Sequence, residues 1–164
     1  MKRILSILIL AGVAVGAPAQ AVGVGEAAPV FALPTAKGEP VALDKLRGQV
    51  VYVDFWASWC GPCKRSFPWM NELAQRYGAS GLTVVAVNVD KKREDADRFL
   101  AATPAQFTVV YDAAGATPAA WAVKGMPSSY LIDRSGHVVL VEQGFRDEQK
   151  AGVESRIRDL LAAR

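Results

Sequence analysis

The sequence predicts an α/β fold, a mixed central β-sheet flanked by helices on both faces. Three observations carry that expectation. Two continuous β-prone runs, Val50–Trp56 and residues 83–89, are separated by a segment whose apolar residues recur at spacings of three and four. A second helix–strand–helix alternation follows. The chain then closes with two strand-like runs on either side of Asp133-Arg134-Ser135-Gly136. An unbroken apolar run fits a strand covered on both faces. A strand–helix–strand order sets parallel strands side by side, whereas a short hairpin joins antiparallel ones, so the sheet should be mixed.

In chain order, residues 22–48 are rich in Gly, Pro and Ala, with short apolar pieces at 30–33 and 41–43. They read as a loosely structured lead-in holding at most a small hairpin. After the first core strand a helix is predicted over Gly61–Tyr77, with Met70, Leu73, Ala74 and Tyr77 as its buried stripe and Gly78 and Gly81 as its end. Arg93–Ala102 reads as a charged surface helix stopped near Pro104. A short strand over 107–111, a short helix over 118–123, and the strands Ser128–Ile132 and 137–143 follow. Asp147 is placed to cap a last helix whose stripe is Val153, Ile157, Leu160 and Leu161.

The chain's 164 residues suit one domain, and 51% apolar residues suffice for a core. Residues 1–21 read as a secretory signal and residues 22–164 as the domain. Lys2 and Arg3 form a basic start, residues 4–15 an apolar stretch, and Ala19-Gln20-Ala21 a small-residue cleavage site. The apolar stretch falls short of the ~20 residues that span a bilayer. The expectation is therefore a cleaved, exported, periplasmic protein, with membrane anchoring by an uncleaved N-terminal segment as the alternative. Without Lys2 and Arg3, the 19 basic residues become 17 against 16 acidic ones. There is no basic run interleaved with aromatics, so nucleic acid is not expected as a partner. A monomer is expected.

Only two cysteines are present, in Trp59-Cys60-Gly61-Pro62-Cys63-Lys64. A disulfide closing so short a loop removes little unfolded-chain entropy, so reactivity explains the pair better than stapling. The motif starts just past the first core strand, which puts Cys60 at a helix N-terminus. Unpaired N–H groups and the helix dipole favour an anion there, so Cys60 should be reachable by solvent and ionise more readily than a free thiol of pKa ~8.5. Cys63, three residues on, shares its helix face. Pro62 fits the first turn, where a missing N–H costs nothing. A two-step exchange follows: Cys60 attacks a partner disulfide, then Cys63 attacks Cys60 and frees the reduced partner. Asp54, alone in an apolar strand, is the candidate proton acceptor, because burial raises a carboxyl pKa. Structural zinc wants four Cys or His ligands, and the chain offers Cys60, Cys63 and His137 alone. No metal or other cofactor is expected.

These residues resemble the thioredoxin superfamily. Val53-Asp54-Phe55-Trp56-Ala57-Ser58-Trp59-Cys60-Gly61-Pro62-Cys63-Lys64 is similar to its active-site segment, and Pro68 to the proline within its active-site helix. Met126-Pro127 is similar to the family's cis-proline loop and Gly144 to the glycine beside its partner groove. The resemblance implies a thioredoxin-like fold, a redox disulfide between Cys60 and Cys63, catalytic roles for Asp54 and Pro127, and a partner surface of Trp59, Gly61, Pro62, Met126 and Gly144. The lead-in with Ala28-Pro29-Val30-Phe31 and the extra elements between Asp90 and Gly125 resemble the exported TlpA/ResA/CcmG-like branch. That branch implies reduction of disulfides in exported proteins, as in cytochrome c maturation or metal-centre assembly. Because the compartment outside the cytoplasm is oxidising, a reductant there must be recharged, and a membrane thiol electron donor is expected. One departure is Ala86, where thioredoxins often carry a lysine near the buried aspartate. Among the other tryptophans, Trp56, Trp69 and Trp121 read as packing residues.

Two other classes compete. A thiol peroxidase of the peroxiredoxin-related type would need Pro and Thr or Ser at set positions before its cysteine, and residues 55–59 do not match. A Cu(I)-binding thiol carrier would use the same two thiolates, but after the initiator only Met70 and Met126 could assist, and there is no His cluster.

Overall fold

The computed structural model describes residues 21–163. Residues 1–20, nearly all of the expected signal, lie outside the described residues. Among the described residues, seven strands and four α-helices follow one another in the order β1 (Ala32–Pro34), β2 (Pro40–Ala42), β3 (Val50–Trp56), α1 (Gly61–Tyr77), β4 (Leu82–Asn88), α2 (Arg93–Ala102), β5 (Thr108–Tyr111), α3 (Ala116–Ala120), β6 (Ser128–Ile132), β7 (Val138–Gln143) and α4 (Lys150–Ala162).

Five strands form the central sheet in the order β5-β4-β3-β6-β7. β3, β4 and β5 are parallel, while β6 runs antiparallel to β3 and β7 antiparallel to β6. The sheet is mixed for the expected reason: helical crossovers join the parallel strands and a tight turn joins β6 to β7. In that turn Gly136 takes φ +84, and its N–H donates to Asp133 O at 2.9 Å.

β3 is buried along its whole length, and its side chains divide between two cores by strand alternation. Val50, Tyr52 and Trp56 face a core built with Phe67, Met70 and Leu73 of α1, Ala96 and Phe99 of α2, and Val153 and Ile157 of α4. Trp56 is fully buried there, its ring 4.9 Å from Phe67 and 4.7 Å from Phe99. Glu154 of α4 ties the two long helices together, accepting from Trp69 Nε1 at 3.2 Å, Tyr77 Oη at 3.2 Å and Arg76 Nη1 at 2.5 Å. Val51, Val53 and Phe55 face the second core, centred on Trp121 and Tyr130.

Three readings of the sequence need correction. The lead-in is not loose. Val22, Ala28, Phe31 and Leu43 are buried in the second core, β1 and β2 pair as a hairpin, and Thr35 bridges to Val110 on β5. Spacing this irregular has no period to read, yet it covers a sheet face that α3 is too short to cover. α3 starts two residues earlier than expected because Asp112 accepts from the N–H groups of Gly115 at 2.9 Å and Thr117 at 2.6 Å. Asp147 does not cap α4. It sits in a 3₁₀ turn over Asp147–Gln149 and pairs with Lys150 at 2.6 Å, a contact that holds its carboxyl below the usual range.

Candidate active site

The loop from β3 into α1 delivers Cys60 as the N-cap of α1. Its Sγ accepts a hydrogen bond from Cys63 N–H at 3.2 Å, the place usually filled by a Ser or Asp oxygen. Pro62 lies in the first turn, where it removes no helical hydrogen bond. The two sulfurs are bonded, 2.06 Å apart, with Cα atoms 5.3 Å apart, so this is the oxidised form. Once the bond is reduced, the same N–H and the end of the helix dipole stabilise negative charge on Cys60. Cys63 is fully buried.

A buried carboxylate holds this loop in place. Asp90, just past β4, accepts from Ser58 N and Ser58 Oγ, both at 2.8 Å, and from Asn88 Nδ2 at 2.7 Å. The sequence reading missed Asp90 and Ser58. Asp90 runs straight into Lys91-Lys92-Arg93 and the charged surface helix, which hides it among surface charges. Its position directly after a buried strand was the available signal. Because three donors lose their shared acceptor, Asp90→Ala is expected to destabilise the protein by about 3 kcal/mol. Urea denaturation at unchanged slope measures this, and a loss under about 1 kcal/mol would show the clamp to be dispensable.

Asp54 lies mid-strand in β3, fully buried, between Ala86 on β4 and Ser129 on β6. Alternation turns it toward the core that holds Cys60 and Cys63. Its Oδ1 accepts from Ser129 Oγ at 2.6 Å, and its Oδ2 has no hydrogen-bond partner among the described residues. Burial pushes its pKa up from 3.8 to about 7, against the opposing effect of the Ser129 hydrogen bond. The Tyr52 phenol on the same strand is pushed up by burial and then by the Asp54 charge.

The Met126–Pro127 peptide is cis, and Pro127 is buried. Two hydrogen bonds shape its loop: Gly144 N–H donates to Pro127 O and Ser128 Oγ donates to Gly125 O, each at 2.8 Å. Met126, half-buried, packs against the core that holds both cysteines. Trp59, by contrast, is 71% exposed beside Cys60. Phe145 next to Gly144 lies against Trp69 at 5.7 Å between ring centres. Among the described residues no group of three or more His, Cys, Asp or Glu is placed to hold a metal ion. A groove of about 580 Å³ lined by Thr35, Phe107 and Tyr111 holds none of these site residues.

A family model described as Redoxin matches residues 23–160. The chain belongs to the Redoxin family. It is 36% identical over 124 residues to the thiol-disulfide oxidoreductase ResA of Geobacillus kaustophilus, covering 76% of this chain and 71% of that one. The ResA of Bacillus subtilis is 33% identical over 135 residues, covering 82% and 75%. A crystal structure described as a thiol:disulfide interchange protein DsbE from Chlorobium tepidum matches with a TM-score of 0.83 and 52% identity, over 87% of this chain and all of that one. This Redoxin chain is accordingly a thioredoxin-like thiol–disulfide oxidoreductase of the ResA/CcmG-like kind, with its Cys60–Cys63 pair.

Within this Redoxin fold, Cys60 is less open than its sequence position suggests. The residue is 3% exposed, because in the oxidised form its sulfur is bonded to that of the fully buried Cys63. Gly61 is exposed and Pro62 and Gly144 are half-buried. Trp56, Trp69 and Trp121 are buried packing residues. In β4, Ala86 stands directly opposite Asp54, so no charged side chain occupies that register position.

Proposed function

We propose that this oxidoreductase works as a reductant of disulfides in exported proteins, in a role of the cytochrome c maturation or metal-centre assembly type. The observation that carries the reading is the Cys63 N–H donated to Cys60 Sγ at the start of α1, with Gly-Pro between the two cysteines. A helix N-terminus that stabilises one thiolate suits nucleophilic attack on a partner's disulfide. The Gly-Pro pair resembles that of reducing thioredoxins. In the proposed cycle Cys60 captures the partner, Asp54 takes the Cys63 proton, and Cys63 displaces the partner from Cys60. Pro127, Met126, Gly144, Trp59, Gly61 and Pro62 form the surface against which the partner's chain lies.

Residues 1–21 are proposed as a cleaved signal and the periplasm as the working compartment. No helix among the described residues is long and apolar enough to cross a membrane. A reductant in an oxidising compartment has to be recharged, which implies a membrane thiol electron donor. Equilibration with glutathione tests the direction of transfer. The expected potential lies near the value of about −270 mV for thioredoxin, and one above roughly −180 mV would overturn the reductant reading.

A further inference from the structure

We propose that Ser129 is a positioning residue for proton transfer, its hydroxyl pinning Oδ1 of Asp54 and leaving Oδ2 as the atom that receives the Cys63 proton. The proposal rests on the reading of Asp54 as the proton acceptor and deepens it to named atoms.

The geometry is specific to one hydroxyl. β6 carries two adjacent serines, both buried. Ser128 donates to the Gly125 carbonyl and is spent on the cis-proline loop. Ser129, facing the other way by strand alternation, lies opposite Asp54 in the β3–β6 register and donates to its Oδ1 at 2.6 Å. Across the other neighbour, β4, Asp54 meets Ala86, which has no polar atom. A hydroxyl has one hydrogen, so Ser129 holds a single carboxylate oxygen. Oδ2, fully buried and without a partner among the described residues, keeps its lone pairs free. A buried acceptor left unpartnered costs stability, and a catalytic role is one reason a fold keeps it.

The step balances as follows. Cys63 Sγ–H gives its proton to Asp54 Oδ2. The Cys63 thiolate attacks Cys60 Sγ, the bond between the two cysteine sulfurs forms, and the bond from Cys60 to the partner's sulfur breaks. The partner leaves as a thiolate and takes a proton from water. Across the two exchanges the partner disulfide gains two electrons and the cysteine pair loses them. Near Asp54 lie Tyr52 on its own strand, Ser129 on β6 and Glu142 opposite Ser129 on β7, while the cysteines of α1 belong to the core on the same face of β3. Burial and the Ser129 hydrogen bond govern its acidity, the latter favouring the ionised form.

The test is an NMR titration of the Asp54 carboxyl carbon in the reduced mature protein, beside the pH profile of partner release from a mixed disulfide on Cys60. In Ser129→Ala the Asp54 midpoint is expected to rise by about one pH unit and release at neutral pH to slow by up to about tenfold, since one unit is a tenfold change in proton affinity. Ser129→Thr, which keeps the hydroxyl, is expected to restore both. An unmoved Asp54 midpoint in Ser129→Ala, even with lowered stability, overturns the proposal. Failure of the underlying reading looks different: Asp54→Asn would leave the release profile as in the parent, while the Ser129→Ala midpoint still reports on the hydroxyl.

Discussion

Asp54→Asn is expected to make the oxidised protein more stable in alkaline solution. The carboxyl ionises at 3.8 in an open chain and at about 7 in the fold. Between those values the folded state holds a proton that the unfolded chain has lost, so stability falls as the pH rises through that window. Above about 7 the cost is complete. A rise from 3.8 to about 7 amounts to about 4 kcal/mol at 1.36 kcal/mol per pH unit. The amide has the carboxyl's shape, still accepts from Ser129, and carries no charge to desolvate. Its gain over the parent should therefore approach a few kcal/mol at about pH 8 and vanish below about pH 4. Denaturant midpoints of both proteins across that range measure the difference. A gain independent of pH, or none, would mean that Asp54 is not held near neutrality by burial.

The second large effect concerns the cysteines. Cys63→Ser is expected to capture partners as stable mixed disulfides on Cys60, while multiple-turnover disulfide reduction falls by a factor on the order of a thousand or more. Capture needs only the sulfur at the helix end. Release needs the second sulfur, which is buried three residues on and already within bonding reach of the first. Cys60→Ser is expected to lose turnover equally and to capture nothing, because Cys63 is fully buried and the N-terminal N–H that favours a thiolate points at position 60. Mass spectrometry of the adducts under non-reducing conditions separates the two variants. Equal capture by both would put an end to the division of labour between the sulfurs.

Much of the fold was legible because its core strands and long helices obey simple periods. β3, α1, α2 and β6 fall where the alternation of apolar runs and helical stripes puts them. The lead-in was not legible, since Val22, Ala28, Phe31 and Leu43 reach the second core from irregular chain with no repeating spacing. At the site, Cys60 and Cys63 announce themselves by spacing, and Asp54 by being a lone acid in an apolar strand. Asp90 and Ser129 do not. What matters about each is a contact across 32 residues to Ser58 or 75 residues to Asp54, and no local pattern encodes it.

The contrast among the tryptophans has a practical consequence. Of the four, Trp56, Trp69 and Trp121 are buried, and only Trp59 stands in water, adjacent to Cys60. An aqueous quencher such as iodide therefore dims one indole while the three buried ones keep emitting. The enzyme carries its own optical probe beside the bond that changes, and on the proposed partner surface a bound partner would shade it.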